Sequence, residues 1–346
     1  MRIFLYEWIC SGGLAHEKMI PSLYNEGRTM FIALARDLAE MPDVQVVTSL
    51  DERVVSSCML PKDIIWTSAL SDRDGFYFRR IAKDCDLALV VAPEVGDALW
   101  LSAAWLAEAG CPSLGPDKVT LKKASDKGFM SALWENAGVP CIPTTQLNRS
   151  INIKLPAFEC VVKLARGAGS WGNRVIRSID EAQAMLDWAE KGDLGSVLIQ
   201  PYMKGIPTSI AALVGPDSKD PKMLIPCLQI LSDDGKLSYK GGRTPLSKNQ
   251  SVRVTQLGRK ALACMDGLLG WIGIDILLGA ADDGSADLVV ELNPRCTTSY
   301  AGLRHIFHGN LAEAWITNVQ GSALEMAWLS RGVQWDNQGN IKLQHG

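Results

Sequence analysis

The sequence lacks the cysteine patterns of a disulfide-stabilised or zinc-binding protein. Its nine cysteines are odd in number, lie far apart and include no CxxC pair. Disulfide frameworks use paired cysteines at regular spacings, and zinc knuckles use closely spaced ones. The pattern therefore argues against both classes, and the free thiols predict a protein of a reducing compartment, the cytoplasm.

The chain also lacks an excess of charge and a long apolar run. Its net charge of −3 gives no electrostatic reason to bind nucleic acid or an anionic membrane. The apolar start is interrupted by Glu7 and is too short for a signal peptide or a membrane-spanning helix, and no later stretch is long enough. We therefore expect neither nucleic acid nor a membrane as partner. Small-molecule substrates are expected, and a homodimer is compatible with the sequence.

The first third of the chain alternates strand-like and helical segments. The apolar runs RIFLYEW, VQVVTSL and DLALVVAPEV alternate with helical stretches around residues 29–41 and 97–109. This βαβ rhythm is typical of a parallel sheet in an α/β protein. Glycine and proline residues then interrupt the chain near Gly115, where we place the first domain boundary.

Beyond this boundary the pattern changes. FECVVKLARGAGSWGNRVI predicts a strand, a glycine loop and a second strand, which indicate a mixed, mainly antiparallel unit. A helix is expected over residues 257–270, and IGIDILLGA and ADLVVELNP could pair as strands. We expect an α/β domain over residues 1–115, a central unit over 116–195, a C-terminal unit over 196–330 and a loosely structured tail over 331–346.

Two acidic residues interrupt apolar strands in the last quarter of the chain. Asp275 lies within IGIDILL and Glu291 within DLVVELNP, and Asn293 follows Glu291 on the same face of its strand. A buried carboxylate is costly unless something compensates its charge. Carboxylate and carboxamide oxygens suit a hard cation such as Mg²⁺. If the two strands pair, these three side chains form a candidate metal site.

A structural role for these acids is the competing interpretation. Glu291 could form a salt bridge at the end of its strand, before a turn that Pro294 initiates. Asp275 could form an ion pair with Arg243 or Arg253. The spacing of the acids alone does not choose between a metal site and structural ion pairs.

A glycine-rich loop, GAGSWG from Gly167 to Gly172, matches the pattern GxGxxG. In a dinucleotide-binding fold such a loop opens a helix, whereas here the β-branched residues of NRVIRS continue as a strand. The loop is therefore predicted at the tip of a hairpin. Its backbone N–H groups can approach phosphate oxygens because glycine has no Cβ, and Lys163 could add a positive charge. A flexible hairpin with an exposed lysine is the alternative.

Five motifs together carry a resemblance to a known family. Lys127 in SDKGFMSALWENAGVP, Lys163 in VVKLARGAGSWG, the strand VLIQPYMKG, Asp275 and VVELNPR occur in the order and approximate spacing of the ATP-grasp superfamily. The resemblance covers the last two thirds of the chain. It implies α+β ATP-grasp domains preceded by a Rossmann-like pre-ATP-grasp α/β domain.

The resemblance also implies roles for individual residues. Lys163 and Arg295 resemble the catalytic cations of the family. The residues implied in ATP binding are Lys127, Lys163, Gly167, Gly169, Ser170, Gly172, Gln200, Pro201, Tyr202 and Met203. Those implied in metal binding are Asp275, Glu291 and Asn293, with Mg²⁺ as the ion and Mn²⁺ as a substitute. Those expected to bind substrate are Glu7, Gly12, Gly13, Ser22, Glu26, Arg243, Thr297, Thr298 and Ser299.

The N-terminal part of that substrate site is expected in one loop. The segment after the strand RIFLYEW is predicted to stay irregular as far as Glu26, where a helix would begin. Loops that follow the strands of an open α/β sheet form its usual binding crevice. Glu7 or Glu26 could hold an ammonium group there, and Trp8 or Tyr24 could flank an aromatic ring.

Three positions depart from the family's pattern. The linker after VLI usually carries one acidic residue near its start and another that contacts ribose, whereas this chain has Gln200 and Pro207. Many members place an arginine two residues before the first metal-binding acid, where Gly273 stands here. Arg243 could replace that charge. These departures bear on nucleotide affinity.

The reaction implied by the resemblance joins a carboxylate to an amine at the expense of ATP. ATP would phosphorylate the carboxylate, and the amine would attack the acyl phosphate. YEWICSGGLAHEKMIPSLYNEGRTM further resembles the branch of these ligases linked to tetrahydromethanopterin-dependent one-carbon metabolism. That branch implies glutamate, through its γ-carboxylate, and tyramine or tyrosine as substrates in methanofuran or methylofuran biosynthesis. A ligase for another amino acid, or a non-catalytic nucleotide sensor, is the alternative.

Overall fold

The structure is a computed structural model that describes residues 1–15, 17–69, 74–148, 159–217, 220–322 and 324–344. The described residues form three sheets, one parallel and two antiparallel, with helices packed against them. The expectation of an α/β protein is confirmed. Among the helices of these ranges, none is both long enough and apolar enough to cross a membrane.

The N-terminal part is a four-stranded parallel sheet with helices beside it. Its strands are β1 (Arg2–Glu7), β2 (Gln45–Leu50), β3 (Ile65–Ser68) and β4 (Leu87–Val91), and its helices are α1 (Pro21–Ala39), α2 (Phe76–Ala82) and α3 (Ala98–Ala109). The strand order is β3-β2-β1-β4. β1 is central and buried along most of its length, as a strand covered on both faces requires. The residues at its carboxyl end, including Glu7, therefore lie in the interior of the molecule.

The start of α1 differs from the sequence-based expectation. We expected an irregular segment as far as Glu26, but the helix already begins at Pro21. Proline suits the first helical position because its fixed φ matches the helix and its missing N–H would have no partner there. Ser22 and Glu26 therefore lie on the first turns of α1 and not in a loop.

The middle of the chain forms a small antiparallel sheet. Its elements are α4 (Lys118–Ala124), α5 (Lys127–Asn136), β5 (Thr145–Leu147), β6 (Cys160–Leu164), β7 (Arg174–Ile176), α6 (Ile179–Lys191) and β8 (Val197–Pro201). The strand order is β5-β8-β6-β7. The Asp126 carboxylate accepts the N–H groups of Gly128 and Phe129 and so caps α5. This cap fixes Lys127 at the first position of the helix.

The rest of the chain forms an eight-stranded antiparallel sheet. Its elements are β9 (Ile206–Val214), β10 (Lys222–Met223), β11 (Cys227–Leu231), β12 (Tyr239–Thr244), α7 (Lys248–Leu262), β13 (Gly270–Leu278), β14 (Leu288–Asn293), α8 (Ser299–Leu303), α9 (Leu311–Val319), β15 (Gly332–Asp336) and β16 (Ile341–Gln344). The order is β14-β13-β9-β11-β12-β15-β16, and β10 pairs with β9. The predicted pairing of IGIDILLGA with ADLVVELNP is confirmed.

Two expectations for this region are wrong. The helix expected over 257–270 is α7, which begins at Lys248 and ends at Leu262, because Ser247 and Gln250 form a capping box ten residues earlier. The tail expected to be loose contains β15, which pairs with β12, and β16, which pairs with β15 at the edge of the sheet. Trp335 of β15 is almost fully buried, so this segment is part of the core.

The parts of the molecule are joined through shared packing. One apolar cluster combines residues of β1 and α1 with Leu213 of β9, Trp271 of β13 and Trp335. β8, which lies beyond the boundary drawn at residue 195, pairs with β6 in the small sheet. The four-segment division remains a prediction. The small sheet and the large sheet face each other across a cleft. Glu26, on the first turns of α1, also borders this cleft.

Candidate active site

The cleft between the two antiparallel sheets has a volume of about 390 Å³. Side chains from β6, the β6–β7 loop and β8 line one wall, and β9, β11, β13 and β14 line the other. Glu26 of α1 closes one end. A concave site with converging polar groups is the usual form of a small-molecule site.

Two acids meet on neighbouring strands at the floor of the cleft. Asp275 of β13 pairs directly with Glu291 of β14, and Gly273 pairs with Asn293. The Gln229 amide donates to one Asp275 oxygen at 2.9 Å, and the Asn293 amide lies 3.4 Å from the other. The three side chains predicted as metal ligands are therefore together. Gln229 is a partner that sequence reasoning missed; the signal available was a single polar residue inside the apolar run CLQIL.

The two carboxyl groups titrate differently because their surroundings differ. Burial, followed by the repulsion from Glu291, raises the pKa of Asp275 to about 7. Burial also opposes ionisation of Glu291, but Lys127, Lys163 and Arg295 together hold the pKa of Glu291 below its ordinary value. The pair thus carries negative charge that the neighbouring amides satisfy only in part.

Two buried lysines approach Glu291 from the opposite wall. The Nζ atoms of Lys163 and Lys127 lie 3.4 Å and 3.9 Å from the same Glu291 oxygen. Lys127 also donates to the carbonyl oxygen of Gly167 at 2.6 Å. Burial and the neighbouring ammonium of Lys127 lower the pKa of Lys163, and Glu291 opposes that shift. The lysines predicted to bind phosphate therefore converge on the acids predicted to bind metal.

The donor set fits a hard divalent cation. No group of three or more His, Cys, Asp and Glu side chains suited to a metal occurs in the described ranges, so the candidate ligands are two carboxylates and the carboxamide of Asn293. Carboxylate and amide oxygens with room for further oxygen ligands suit Mg²⁺, which usually keeps water or substrate phosphate in its shell. The raised pKa of Asp275 marks a carboxylate that a cation would stabilise in its charged form.

Of the structural alternatives, Glu291 does form ion pairs, with Lys163 and Lys127, whereas the ion pair of Asp275 with Arg243 or Arg253 does not form among the described residues. Arg253 donates from Nε to Asp287 at 2.9 Å and not to Asp275. Arg243 pairs in register with Leu228, whereas Gln229, the next residue, faces Asp275. Because successive residues of a strand point to opposite faces, Arg243 projects away from the cleft. It therefore does not supply the charge that is missing at Gly273.

The glycine loop joins β6 to β7 as a hairpin, as predicted. Gly169 and Ser170 have φ values of 58° and 55° and line the cleft. A Cβ on Gly169 would lie 2.5 Å from Leu23 and 3.4 Å from a carboxylate oxygen of Glu26, both on α1. The hairpin tip thus packs against α1, and the positive φ of Gly169 together with this close approach favours glycine there.

The opposite end of the cleft is lined by the end of β8 and the residues that follow. Gln200, Pro201, Tyr202 and Met203 all border it, as does Pro207. The Gln200 amide donates to the hydroxyl of Thr144 at 2.7 Å. Gln200, which stands where the family pattern has an acid, therefore ties β8 to the start of β5. Thr144 is a partner that the sequence did not indicate.

Arg295 follows β14 and is held from the N-terminal domain. Its Nε and Nη2 atoms lie 3.0 Å and 3.1 Å from the two carboxylate oxygens of Glu94, which follows β4. Burial by itself would lower the pKa of Arg295, but Glu94 raises it above its ordinary value. Glu94 is only 2% exposed. Sequence reasoning missed it because nothing in VAPEV distinguishes it from a loop acid.

A family model described as the ATP-grasp domain matches residues 124–299, about half of the chain. The chain belongs to the ATP-grasp family. Tyramine–L-glutamate ligase of Methanocaldococcus jannaschii is 23% identical over 326 residues, which cover 93% of this chain and 91% of that protein. The expectation of an ATP-dependent ligase that forms C–N bonds is confirmed at this level.

Solved ATP-grasp structures share the fold. An ATP-grasp superfamily protein from Archaeoglobus fulgidus superposes with a TM-score of 0.69 at 19% identity, covering 97% of this chain and 92% of that one. N5-carboxyaminoimidazole synthetase from Staphylococcus aureus, complexed with ADP, gives 0.70 at 13% identity, covering 96% and 81%. At these identities the likeness shows the fold alone.

The end of this ATP-grasp cleft near Arg295 brings together four of the nine residues expected to bind substrate. Glu26, Thr297, Thr298 and Ser299 line the cleft beside Arg295. The hydroxyls of Thr297 and Ser299 lie 2.9 Å apart. One carboxylate oxygen of Glu26 is buried and has no hydrogen-bond partner among the described residues.

The other five expected residues lie outside that lining. Glu7 is buried beneath α1, against the backbone of Gly27, and accepts the N–H of Cys10 at 2.7 Å. Gly13 packs on the Trp8 ring, and Gly12 packs on Ala69. Ser22 lies on α1, and Arg243 faces the other side of its sheet. Glycines of the first loop were expected to open a crevice, but they permit close packing instead.

The aromatic side chains proposed beside the substrate ring also lie elsewhere. Trp8 is buried and stacks on Trp105 with ring centroids 5.8 Å apart. The Tyr24 hydroxyl pairs with Ser57 at 2.6 Å. Tyr239 borders the cleft in their place, together with Leu231 and Leu237. The Tyr239 hydroxyl accepts the indole N–H of Trp335 at 2.8 Å. β15, which carries Trp335 and was expected to belong to a loose tail, therefore positions Tyr239.

Proposed function

We propose that this protein uses ATP to join the γ-carboxylate of glutamate to tyramine through an acyl phosphate. The observation that carries the proposal is the cluster at the cleft floor. Two acids, one carboxamide and two buried ammonium groups converge there beneath a glycine hairpin. Phosphoryl transfer requires such an arrangement because catalysis consists mainly of positioning and charge stabilisation.

The proposed first step transfers the terminal phosphate of ATP to the carboxylate. Lys127 and Lys163 hold the phosphate oxygens, and the end of β8 with Tyr202 and Met203 borders the adenine. Asp275, Glu291 and Asn293 would hold Mg²⁺, which supplies neutralisation of the phosphate charge. Arg295, fixed by Glu94, presents its remaining N–H groups to the carboxylate or the phosphate.

The proposed second step is attack of the amine on the acyl phosphate. A C–N bond forms, the C–O bond to phosphate breaks, and phosphate leaves with the electron pair. The hairpin Gly167–Gly172 closes the cleft over the intermediate, since its tip packs on α1. Exclusion of water prevents hydrolysis of the intermediate before the amine attacks.

Charge pairing favours tyramine over tyrosine. The two differ by a carboxylate, which would require a cation. Arg79 pairs with Glu108 and Arg304 pairs with Asp37, and neither arginine lines the cleft. Among the described residues that line it, the cations are Lys163 and Arg295, and acids engage both. An amine that carries no carboxylate therefore fits this end best.

A phosphate-release screen with product mass tests the assignment. ATP, Mg²⁺ and glutamate are supplied with tyramine, tyrosine or other amines. We expect ADP, phosphate and γ-glutamyltyramine from tyramine, and little product from tyrosine. Turnover of another pair alone would contradict the substrate assignment and leave the ligase mechanism standing. ATP binding without ADP release from any pair would favour a nucleotide sensor.

A further inference from the structure

The carboxylate of Glu26 has a position that phosphoryl transfer does not use. Glu26 lies at the substrate end of the cleft, between the tip of the glycine hairpin and Arg295. Its Oε1 atom is buried and has no hydrogen-bond partner among the described residues. A buried acceptor without a partner is costly, so a donor brought by the substrate is the natural complement.

We propose that Glu26 is the proton acceptor that converts the substrate ammonium into the attacking amine. The inference rests on the proposed ligase function and adds a catalytic residue to it. An alkylammonium has no lone pair and cannot attack an acyl phosphate until it loses a proton. Of the acids that line the cleft, which are Glu26, Asp233, Asp275 and Glu291, Glu26 is the one with a buried carboxylate oxygen that has no partner among the described residues.

The proton balance of the step is complete. The ammonium gives one proton to a Glu26 oxygen, and the nitrogen lone pair forms the bond to the acyl carbon. The C–O bond to phosphate breaks, and the departing phosphate takes the second proton from nitrogen. Glu26 then returns its proton to solvent when the hairpin opens. No oxidant, reductant or further reactant is required.

The surroundings of Glu26 suit a base that works near neutrality. Burial is the main cause that raises the pKa of Glu26 to about 7, and Glu94 acts in the same direction while Arg295 opposes it. Tyr239 lies within electrostatic range, and Glu7 lies behind Glu26 in the adjoining small cavity. A base whose pKa is near the working pH is the most effective.

Gly169 adds a geometric reason for this placement. Since a Cβ on Gly169 would lie 3.4 Å from Oε1 of Glu26, the closed hairpin covers the carboxylate directly. The proton acceptor is therefore shielded at the moment when the acyl phosphate must be protected from water. Opening of the hairpin would expose both Glu26 and the intermediate.

Hydroxylamine separates proton acceptance from the other steps. It is largely uncharged at neutral pH and traps acyl phosphates as hydroxamates, so it needs no protein base. With ATP, Mg²⁺ and glutamate, Glu26→Gln should form hydroxamate at the rate of the unmodified protein. With tyramine, its amide-forming kcat should fall about 10²–10⁴-fold, the usual contribution of a general base. Glu40→Gln, an exposed change at the end of the same helix, should change neither rate.

The pH profile separates proton acceptance from simple binding of an ammonium. As the pH rises, more tyramine is uncharged, so the defect of Glu26→Gln should shrink if Glu26 acts as the base. An equal loss of hydroxamate and amide, or an amide defect that does not shrink at high pH, would overturn the proposal. If the unmodified protein forms no hydroxamate and no ADP, the ligase function itself fails, which is a distinct outcome.

Discussion

At the scale of single residues, the molecule keeps several carboxyl groups in places where ionisation is costly. Burial raises the pKa of Glu7, Glu26 and Asp275 to about 7. Two of them face the cleft, where a cation or an ammonium group would compensate the charge. Glu7 lies behind the cleft under α1, so its ionisation affects stability and not the chemistry.

Replacement of Glu7 tests this distinction. The ordinary pKa of Glu7 is 4.5 and the native value is about 7, so the native state binds this proton more tightly than the unfolded state. The stability that it contributes is complete below pH 4.5 and is lost as the pH rises towards 7. Relative to the unmodified protein, Glu7→Gln should therefore gain stability across this window, by at most about 1.4 kcal/mol per pH unit.

Urea unfolding at several pH values measures this difference. The difference in unfolding free energy between the two proteins should be constant below pH 4.5, shift progressively in favour of Glu7→Gln between pH 4.5 and 7, and be constant again above pH 7. A constant difference over the whole range would contradict the raised pKa of Glu7.

The ion pair of Glu94 and Arg295 should matter more than a surface pair. Both side chains are largely buried, and removal of one partner leaves a buried charge uncompensated, at a cost of about 3–5 kcal/mol. Glu94→Gln should therefore destabilise the protein substantially and lower kcat, because Arg295 loses its fixed orientation.

A matched pair on the surface provides the control. Glu108 contacts Arg79 at 3.1 Å, and its side chain is 58% exposed. Glu108→Gln should change the free energy of unfolding by about 1 kcal/mol or less. Denaturant unfolding of both variants checks the contrast, and equal losses would argue against a special role for Glu94.

At the scale of elements, the glycine hairpin is the part expected to move. Gly169 and Ser170 have positive φ values, and the tip touches α1 mainly through Leu23 and Glu26. The backbone freedom of several glycines favours local opening without nucleotide. Hydrogen exchange over residues 167–172 should slow when ATP and Mg²⁺ are added.

The central strand β9 is the internal reference for that experiment. It pairs with three other strands, so its amides should exchange slowly with or without nucleotide. Unchanged exchange of the hairpin at saturating nucleotide would show that it is not a lid.

Local pattern was sufficient to predict the hairpin and the acid-bearing strands. An acid inside an apolar strand, as at Asp275 and Glu291, is unusual enough to indicate a partner. A glycine loop followed by β-branched residues excludes a helix. These signals lie within ten residues of the feature that they predict, which is why sequence reasoning located the candidate metal and phosphate residues.

Features that depend on tertiary packing could not be predicted in the same way. Glu94 and Arg295 are 201 residues apart in the chain, and no local pattern joins them. The glycines of the first loop pack against Trp8 and Ala69, although glycine in a loop after a strand equally suits a binding crevice. Ser247 and Pro21 did carry usable signals for the starts of α7 and α1, through a capping box and an N-terminal proline.

At the scale of the whole molecule, the last two strands complete the large sheet. Trp335 of β15 packs on Gly302 and Gly242, where a Cβ would lie within 2.5 Å of its ring, and it holds the hydroxyl of Tyr239 in the cleft wall. The C-terminal segment therefore supports both the core and the part of the cleft wall that contains Tyr239.

Truncation of this tryptophan tests that role. Trp335→Ala should lower the free energy of unfolding by about 3–5 kcal/mol, as for other large-to-small core changes. It should also raise KM for the amine, because Tyr239 loses a partner. Trp66→Ala, on the edge strand β3 with 45% of its surface exposed, is the matched control. Similar unfolding free energies for the two variants would contradict the assignment of β15 to the core.

The most direct test of the central claim follows an oxygen atom. Glutamate with heavy oxygen in its γ-carboxylate is incubated with ATP, Mg²⁺ and tyramine, and the phosphate released is analysed by mass. An acyl phosphate intermediate predicts one heavy oxygen in each phosphate, together with one ADP and one amide. Release of AMP and pyrophosphate, or phosphate without label, would contradict the mechanism.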